Sequence, residues 1–251
     1  MTPLDEIALA AAGFGAGLTG SIAGLASLVS YPALLAVGLG PVTANMTNTV
    51  ALVFSSVGSV QGSRPELVGQ SARLRRMAPV AAAGGVLGAV ALMLTPASAF
   101  ARVVPWLIAF AAAVIVLPRR RREAVVDHHL RADPIWVLVA LFAVSFYGGY
   151  FGAAAGVLLL ALLLAAGSDT LAHSNATKNV LLGLANAIAA VYFIGFGSVQ
   201  WSAAIPLAVG CLIGGRLGPL IVRRLPPQPL RIAIGVAGLG LAITLGYQAY
   251  H

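Results

Sequence analysis

The sequence predicts an all-α polytopic integral membrane protein made of two inverted-topology repeats, each with a glycine-broken first helix pair and three further spanning helices. Three observations predict it. Of 251 residues, 59% are apolar and only 9% are charged, against roughly 25% charged in soluble domains. The apolar residues form four blocks, then a basic interruption, then four more. A short polar motif occurs once in each half at a similar place.

Composition excludes most other classes. Mean hydropathy is +0.94, and no soluble domain of this size has interior enough for so much apolar surface. The same numbers exclude a disordered chain. The single cysteine, Cys211, excludes a disulfide scaffold. Fifteen basic against seven acidic residues give a formal charge of +8. The basic residues sit in short loops between apolar spans, where cytoplasmic retention signals belong, so they do not imply nucleic acid. Met1 to Glu6 holds two acids and no Lys or Arg, unlike the basic start of a cleavable signal peptide. The first apolar segment is therefore read as part of the fold.

The first-half blocks lie near 7–38, 45–62, 77–95 and 102–118, and the second-half blocks near 135–167, 174–196, 201–219 and 231–249. Residues 1–118 form the N-terminal repeat, 119–133 a basic cytoplasmic linker, and 134–251 the C-terminal repeat. Most blocks match one bilayer crossing at about 1.5 Å per residue. The opening block of each half is too long. As one helix it would run roughly 45–50 Å, against a hydrocarbon core of about 30 Å. Both carry breakers: Gly13, Gly15, Gly17, Gly20 and Gly24 in the first, Gly148, Gly149, Gly152 and Gly156 in the second. Each is read as a helix pair, either two short crossings or a re-entrant hairpin.

Charge supports the pairing. With both long blocks paired and the N-terminus outside, the loops at 63–76, 118–133, 168–173 and 220–230 all fall inside. With their edges they hold Arg64, Arg73, Arg75, Arg76, Arg119 to Arg122, Arg131, Arg223, Arg224 and Arg231, with Arg216 near that face. Only Arg102 lies in an outside loop, and the outside loop at 196–201 has no charge. That is a positive-inside pattern, and it places the C-terminus outside as well. The basic loop follows the second block in one half and the third block in the other. Opposite charge bias at equivalent loops is the signature of inverted repeats, with the transport site between them.

The halves also match in residues. Asn45-Met-Thr47-Asn48-Thr-Val50 corresponds to Asn175-Ala-Thr177-Lys178-Asn-Val180 at an offset of 130, and Pro79 with Gly88 to Pro206 with Gly215 at 127. With the glycine-rich opening segments and the Gly197-Ser-Val-Gln-Trp201 turn, these motifs make the chain resemble the sulfite exporter TauE/SafE family over about residues 7–247. The resemblance implies a secondary transporter of the bacterial inner membrane, moving a small sulfur-containing anion such as sulfite, thiosulfate or an organosulfonate. The glycine cluster is looser than the family pattern, Gly20-Ser-Ile-Ala-Gly24 and Gly152-Ala-Ala-Ala-Gly156, which allows a different substrate. An anion channel or an uptake permease of the same fold is the alternative.

The candidate substrate-binding residues are Asn45, Thr47, Asn48, Asn175, Thr177, Lys178, Gly20, Gly24, Gly152, Gly156 and Asn186. The motifs are placed at helix starts, where unpaired N–H groups and the helix dipole favour anions. Plain capping is the competing explanation. Lys178, the only lysine, is either a charge facing a cavity or a snorkelling residue at the inner surface. The glycines serve close packing or unwound backbone at a site. Asn186 lies two to three turns beyond Asn175 and Lys178. All seven acids fall in loops or ends, so a carboxylate proton relay is not expected, and coupling falls to protons carried otherwise or to the membrane potential. No catalytic constellation, metal cluster or nucleotide motif is present in the sequence, so neither enzyme activity nor a metal or cofactor is expected.

Overall fold

The computed structural model describes residues 1–116, 134–166, 170–222 and the positions 236, 240, 243 and 247. The linker at 119–133, and the block near 231–249 apart from those four positions, lie outside the described residues. Among the described residues the chain is helical throughout: α1 (Pro3–Ala23), α2 (Ala26–Ala36), α3 (Pro41–Gly62), α4 (Arg64–Leu67), α5 (Ser71–Leu94), α6 (Ala97–Val116), α7 (Ile135–Tyr150), α8 (Ala155–Ala166), α9 (Leu171–Phe196) and α10 (Trp201–Val222). Four of these, α1, α5, α9 and α10, are long and apolar enough to cross a bilayer by themselves. Large apolar side chains including Trp106, Phe110, Trp136, Val191, Ile194 and Ile205 are exposed. That suits an outer surface whose solvent is lipid.

Both long blocks are broken. The first breaks at Gly24, which ends α1 in the left-handed region at φ 77°. The second breaks at residues 151–154, with Gly152 at φ 78° and Ala154 at φ 57°. The Tyr147 hydroxyl donates to Ala153 O at 2.8 Å and holds this second break shut. α2 and α8 have 11 and 12 residues, about half of a hydrocarbon core in length. The two breaks touch: a Cβ on Gly156 would lie 2.5 Å from Gly24 Cα, and one on Gly24 would lie 2.3 Å from Gly156 C.

Elsewhere the helices approach through small residues, and the contacts come in corresponding pairs. Gly84 and Gly88 of α5 press on α7 at Phe142 and Phe146, while Gly214 and Gly218 of α10 press on α1 at Phe14, Leu18 and Ser21. Gly85 meets Ala185 of α9, and Gly215 meets Ser55 of α3. These pairs recur at an offset of 130 for α5 and α10 and of 128 for α1 and α7. The correspondence of Gly88 with Gly215 at 127 is therefore corrected: Gly88 corresponds in space to Gly218. The glycines at the contact set the register, and the proline match was incidental. The change from 128 to 130 falls at the breaks, where four residues separate α7 from α8 and two separate α1 from α2.

The contacts also fix directions. Gly13 meets Leu207 and Gly17 meets Cys211, so α1 and α10 run parallel. Gly84 meets Phe142 and Gly88 meets Phe146, so α5 and α7 do too. The main core joins α1, α2, α3, α6, α9 and α10 around Tyr31, Phe100, Phe151 and Phe193, and a second cluster joins α5, α7, α8 and α9 around Met77, Leu141, Leu163 and Leu181.

The crossing of the breaks gives a test. Gly156→Ala should cost about 1–3 kcal/mol through overpacking and lower the thermal unfolding midpoint in detergent. Gly195→Ala, where an added Cβ meets nothing within 4 Å, should leave that midpoint unchanged or raise it.

Candidate functional site

Both motifs lie more than one turn inside their helices. α3 starts at Pro41 behind Gly40, and α9 starts at Leu171 behind Thr170, whose side chain accepts from His173 N. The placement of the motifs at helix starts is thereby corrected. Gly-Pro and Leu-Ala open the helices one turn earlier than the polar residues suggest. By Asn45 and Asn175 the backbone N–H groups already have intrahelical acceptors, so the motifs are neither caps nor dipole sites.

What they do instead is hold the broken helices. Asn45 Nδ2 donates to Tyr150 O, at the end of α7, at 2.8 Å. Asn175 Nδ2 donates to Ser21 O, near the end of α1, at 2.9 Å. Each motif asparagine thus supplies a donor to a carbonyl in the other half of the chain. A carbonyl only accepts, so the amide orientation is fixed by chemistry. Lys178 is fully buried at 0% exposure, and Nζ donates to Gly20 O at 3.0 Å and Ser21 O at 3.4 Å. It does not snorkel. It places a cation against the C-terminal carbonyls of α1, the negative end of that helix. The Ser30 hydroxyl has two acceptors within reach, Ala26 O at 3.0 Å and the nearer Oδ1 of Asn48, the counterpart of Lys178; with the proton on the Asn48 side, Asn48 Nδ2 donates to Ser27 Oγ at 3.2 Å.

The threonines tie corners. Thr47 Oγ1 accepts from Gln200 N at 3.0 Å, and Thr177 Oγ1 donates to Gln70 Oε1. Gln70 also donates to Glu66 O at 2.9 Å and His173 O at 3.3 Å. The start of α3 is therefore held to the corner before α10, and the start of α9 to the corner before α5. Gln70 and Gln200 stand 130 residues apart, like the threonines they bind.

Beside this framework lies a cavity of about 40 Å³, room for on the order of three water-sized groups. Its lining pairs across the halves: Gly20 with Gly148, Gly24 with Gly152, Thr49 with Asn179, Leu52 with Leu182, and Ser56 with Asn186. Ala26, Ser27, Ser55, Ser59 and Phe151 complete it, and no charged side chain is among them. Of the predicted residues, Gly20, Gly24, Gly152 and Asn186 line this cavity. Asn45, Thr47, Asn48, Asn175, Thr177, Lys178 and Gly156 are not in its lining. Ser27, Thr49, Ser55, Ser56, Ser59, Gly148 and Asn179 were not among the candidate site residues, although Gly148 was read as a helix breaker. The signal was there for two more, since Thr49 and Asn179 lie inside the repeated motif at the offset of 130.

A family model described as sulfite exporter TauE/SafE matches residues 9–245. The chain belongs to this family. Its relatives carry the same broad role in their names. A "Probable membrane transporter protein ORF9" of Sinorhizobium sp is 28% identical over 243 residues, covering 96% of this chain and 92% of the relative. A "Probable membrane transporter protein YfcA" of Escherichia coli K12 is 26% identical over 236 residues, covering 94% and 87%. No solved structure matches significantly. This TauE/SafE member is thus a multi-pass membrane protein and a transporter, not an enzyme. Membership makes sense of a polar, charge-free cavity inside so apolar a chain.

The two asparagine bonds should matter unequally. Asn45→Ala removes the donor to Tyr150 O, which costs about 1–3 kcal/mol when buried, whereas in Asn175→Ala the Ser21 carbonyl keeps Lys178 Nζ at 3.4 Å. Both variants should unfold at lower temperature than wild type in a detergent melt, Asn45→Ala by the larger amount.

Proposed function

We propose that this TauE/SafE protein is a secondary transporter of a small sulfur-containing anion, such as sulfite or an organosulfonate, working by alternating access across a bacterial inner membrane. The observation that carries this reading is the cavity where the two breaks meet, lined by corresponding polar residues of both halves. Broken helices meeting at a central polar site are a recurrent transporter plan. A polar lining without carboxylates suits an anion, because neutral donors can replace hydration oxygen by oxygen.

The helix directions support inverted repeats of 1–118 and 134–251 about the 119–133 linker. α1 and α10 run parallel, and α1 corresponds to α7. The start of α3 adjoins the end of α9, and the start of α9 adjoins the corner after α3, so these corresponding helices run oppositely. The Gln70 bond to His173 O also brings the loop regions at 63–76 and 168–173 together, in keeping with their shared assignment to the cytoplasmic side. On this reading both termini and the 196–201 turn lie outside. Transport is driven by the membrane potential or by protons carried with the substrate, and the direction follows the gradients.

Two experiments test this. In proteoliposomes the protein should catalyse saturable counterflow of labelled sulfite. Flux that stays linear with concentration and shows no counterflow would indicate a channel, and no sulfite or sulfonate flux would end the substrate assignment. For sidedness, a Cys211→Ala background carrying Arg75→Cys or Ser198→Cys should react with an impermeant maleimide only from the cytoplasmic side and only from the outside, respectively. Labelling of both from one side would overturn the topology.

A further inference from the structure

We propose that the anion is held at the start of α2 by the Ser27 hydroxyl and Asn179 Nδ2, and that Asn48 is the positioning residue that aims Ser27. This rests on the reading of the cavity as the anion site. It comes from following the hydroxyl hydrogens whose acceptors the structure gives. Thr49 donates to Asn45 O, Ser56 to Leu52 O and Ser59 to Ser55 O, at 3.0, 3.3 and 2.8 Å. Their protons are committed to their own helix, so they turn lone pairs toward the cavity and offer an anion nothing.

Ser27 is arranged the other way. Asn48 Nδ2 donates to its oxygen at 3.2 Å, which fills a lone pair and leaves the hydroxyl proton to be given. No acceptor for that proton occurs among the described residues. Ser27 lines the cavity and stands in the first turn of α2, where the backbone N–H groups lack intrahelical acceptors and the dipole favours negative charge. Asn179 lines the same cavity, is 5% exposed, and its Nδ2 has no partner among the described residues. A buried donor without an acceptor is costly, and an oxyanion would supply one.

The other break has no such set. α8 opens on Ala155, Gly156 and Val157, which carry no hydroxyl, and Thr49, the counterpart of Asn179, has given its proton away. The Ser27 and Asn179 pair, on the α2 side, therefore has no counterpart at the other break. Its donors suit an oxyanion, and the cavity volume of about 40 Å³ leaves room for one as small as the SO3 group that sulfite and sulfonates share.

The test is titration of the purified full-length protein in nanodiscs with sulfite and with methanesulfonate. Wild type, Ser27→Ala, Asn179→Asp, Asn48→Ala and Asn48→Ala/Ser27→Ala are compared, and each is checked by a thermal melt. Ser27→Ala and Asn179→Asp should each weaken sulfite binding by about tenfold or more, the loss of one hydrogen bond to a charged group. Where Asp at 179 prevents folding, Asn179→Ala should give the same direction. Asn48→Ala should weaken binding as much as Ser27→Ala and add nothing to it in the double variant, although its effect on the melt persists there. A general packing role would give additive losses, and additive losses would remove Asn48 from the proposal. Binding of both anions by wild type, with Ser27→Ala and Asn179→Asp within about twofold of it, would overturn the subsite and leave the transport reading intact. Binding of neither anion by wild type would sink the transport reading and the subsite with it. Wild-type binding of methanesulfonate as well as sulfite assigns the subsite to the SO3 group, and binding of sulfite alone confines it to the inorganic anion.

Discussion

Everything in this fold depends on where two interrupted helices find donors for their last carbonyls. Breaking a helix inside a membrane exposes C=O groups where no water reaches them, at several kcal/mol for each unsatisfied group. Asn45 meets this need at Tyr150 O, and Asn175 at Ser21 O. Neither asparagine serves its own half. The donor for each break comes from the long helix of the other half, so neither break is complete without both halves in place. Lys178 adds a charge-assisted pair of bonds at α1 that α7 lacks from Asn48, and this is the clearest departure from equivalence between the two.

Such long-range donors reach only if the helices lie very close. The contacts at Gly84, Gly88, Gly214 and Gly218 put neighbouring backbones where a Cβ would collide with a carbonyl, a main-chain nitrogen or a serine side chain. In lipid there is little hydrophobic gain from helix association, so close van der Waals packing of small residues takes its place. α1 spends this contact on α10 and α7 spends it on α5. Each half lends its first helix to the other, the threonine ties at Gln70 and Gln200 fasten the corners, and the breaks are pressed together at Gly24 and Gly156.

Much of this was legible in the sequence because composition and length are direct consequences of the bilayer. The two overlong blocks had to be broken, and their glycines marked where. The repeat of Asn45 and Thr47 in Asn175 and Thr177 marked residues that tie the two halves together, but their place within the helices was misread. Polar residues after Gly-Pro look like caps, and only tertiary contact shows that the helix starts one turn earlier and that the amides reach across the molecule. The same limit hid Gln70, which reads as a loop residue until Thr177 and His173 are brought beside it. The cavity residues Ser55, Ser56 and Ser59 were invisible for another reason: serine in a membrane helix usually bonds to its own backbone. Ser56 and Ser59 do so here.

The placement of charge relative to the cavity carries the last step. A lysine in the lining would hold an anion by direct ion pairing at short range, and it would hold it equally after the site had opened to the other side. Lys178, the one buried cation among the described residues, is instead withdrawn onto Gly20 O and Ser21 O, and Gly20 itself lines the cavity. There the ammonium offsets the negative end of α1, which would otherwise repel an anion. Direct contact is left to neutral donors, each contributing about 1.5–3 kcal/mol toward a charged ligand. On the proposed reading, that division gives a site whose field admits an anion and whose contacts let it leave, because moving the α2 start away from Asn179 would separate the donors while the lysine stays with the carbonyls it serves.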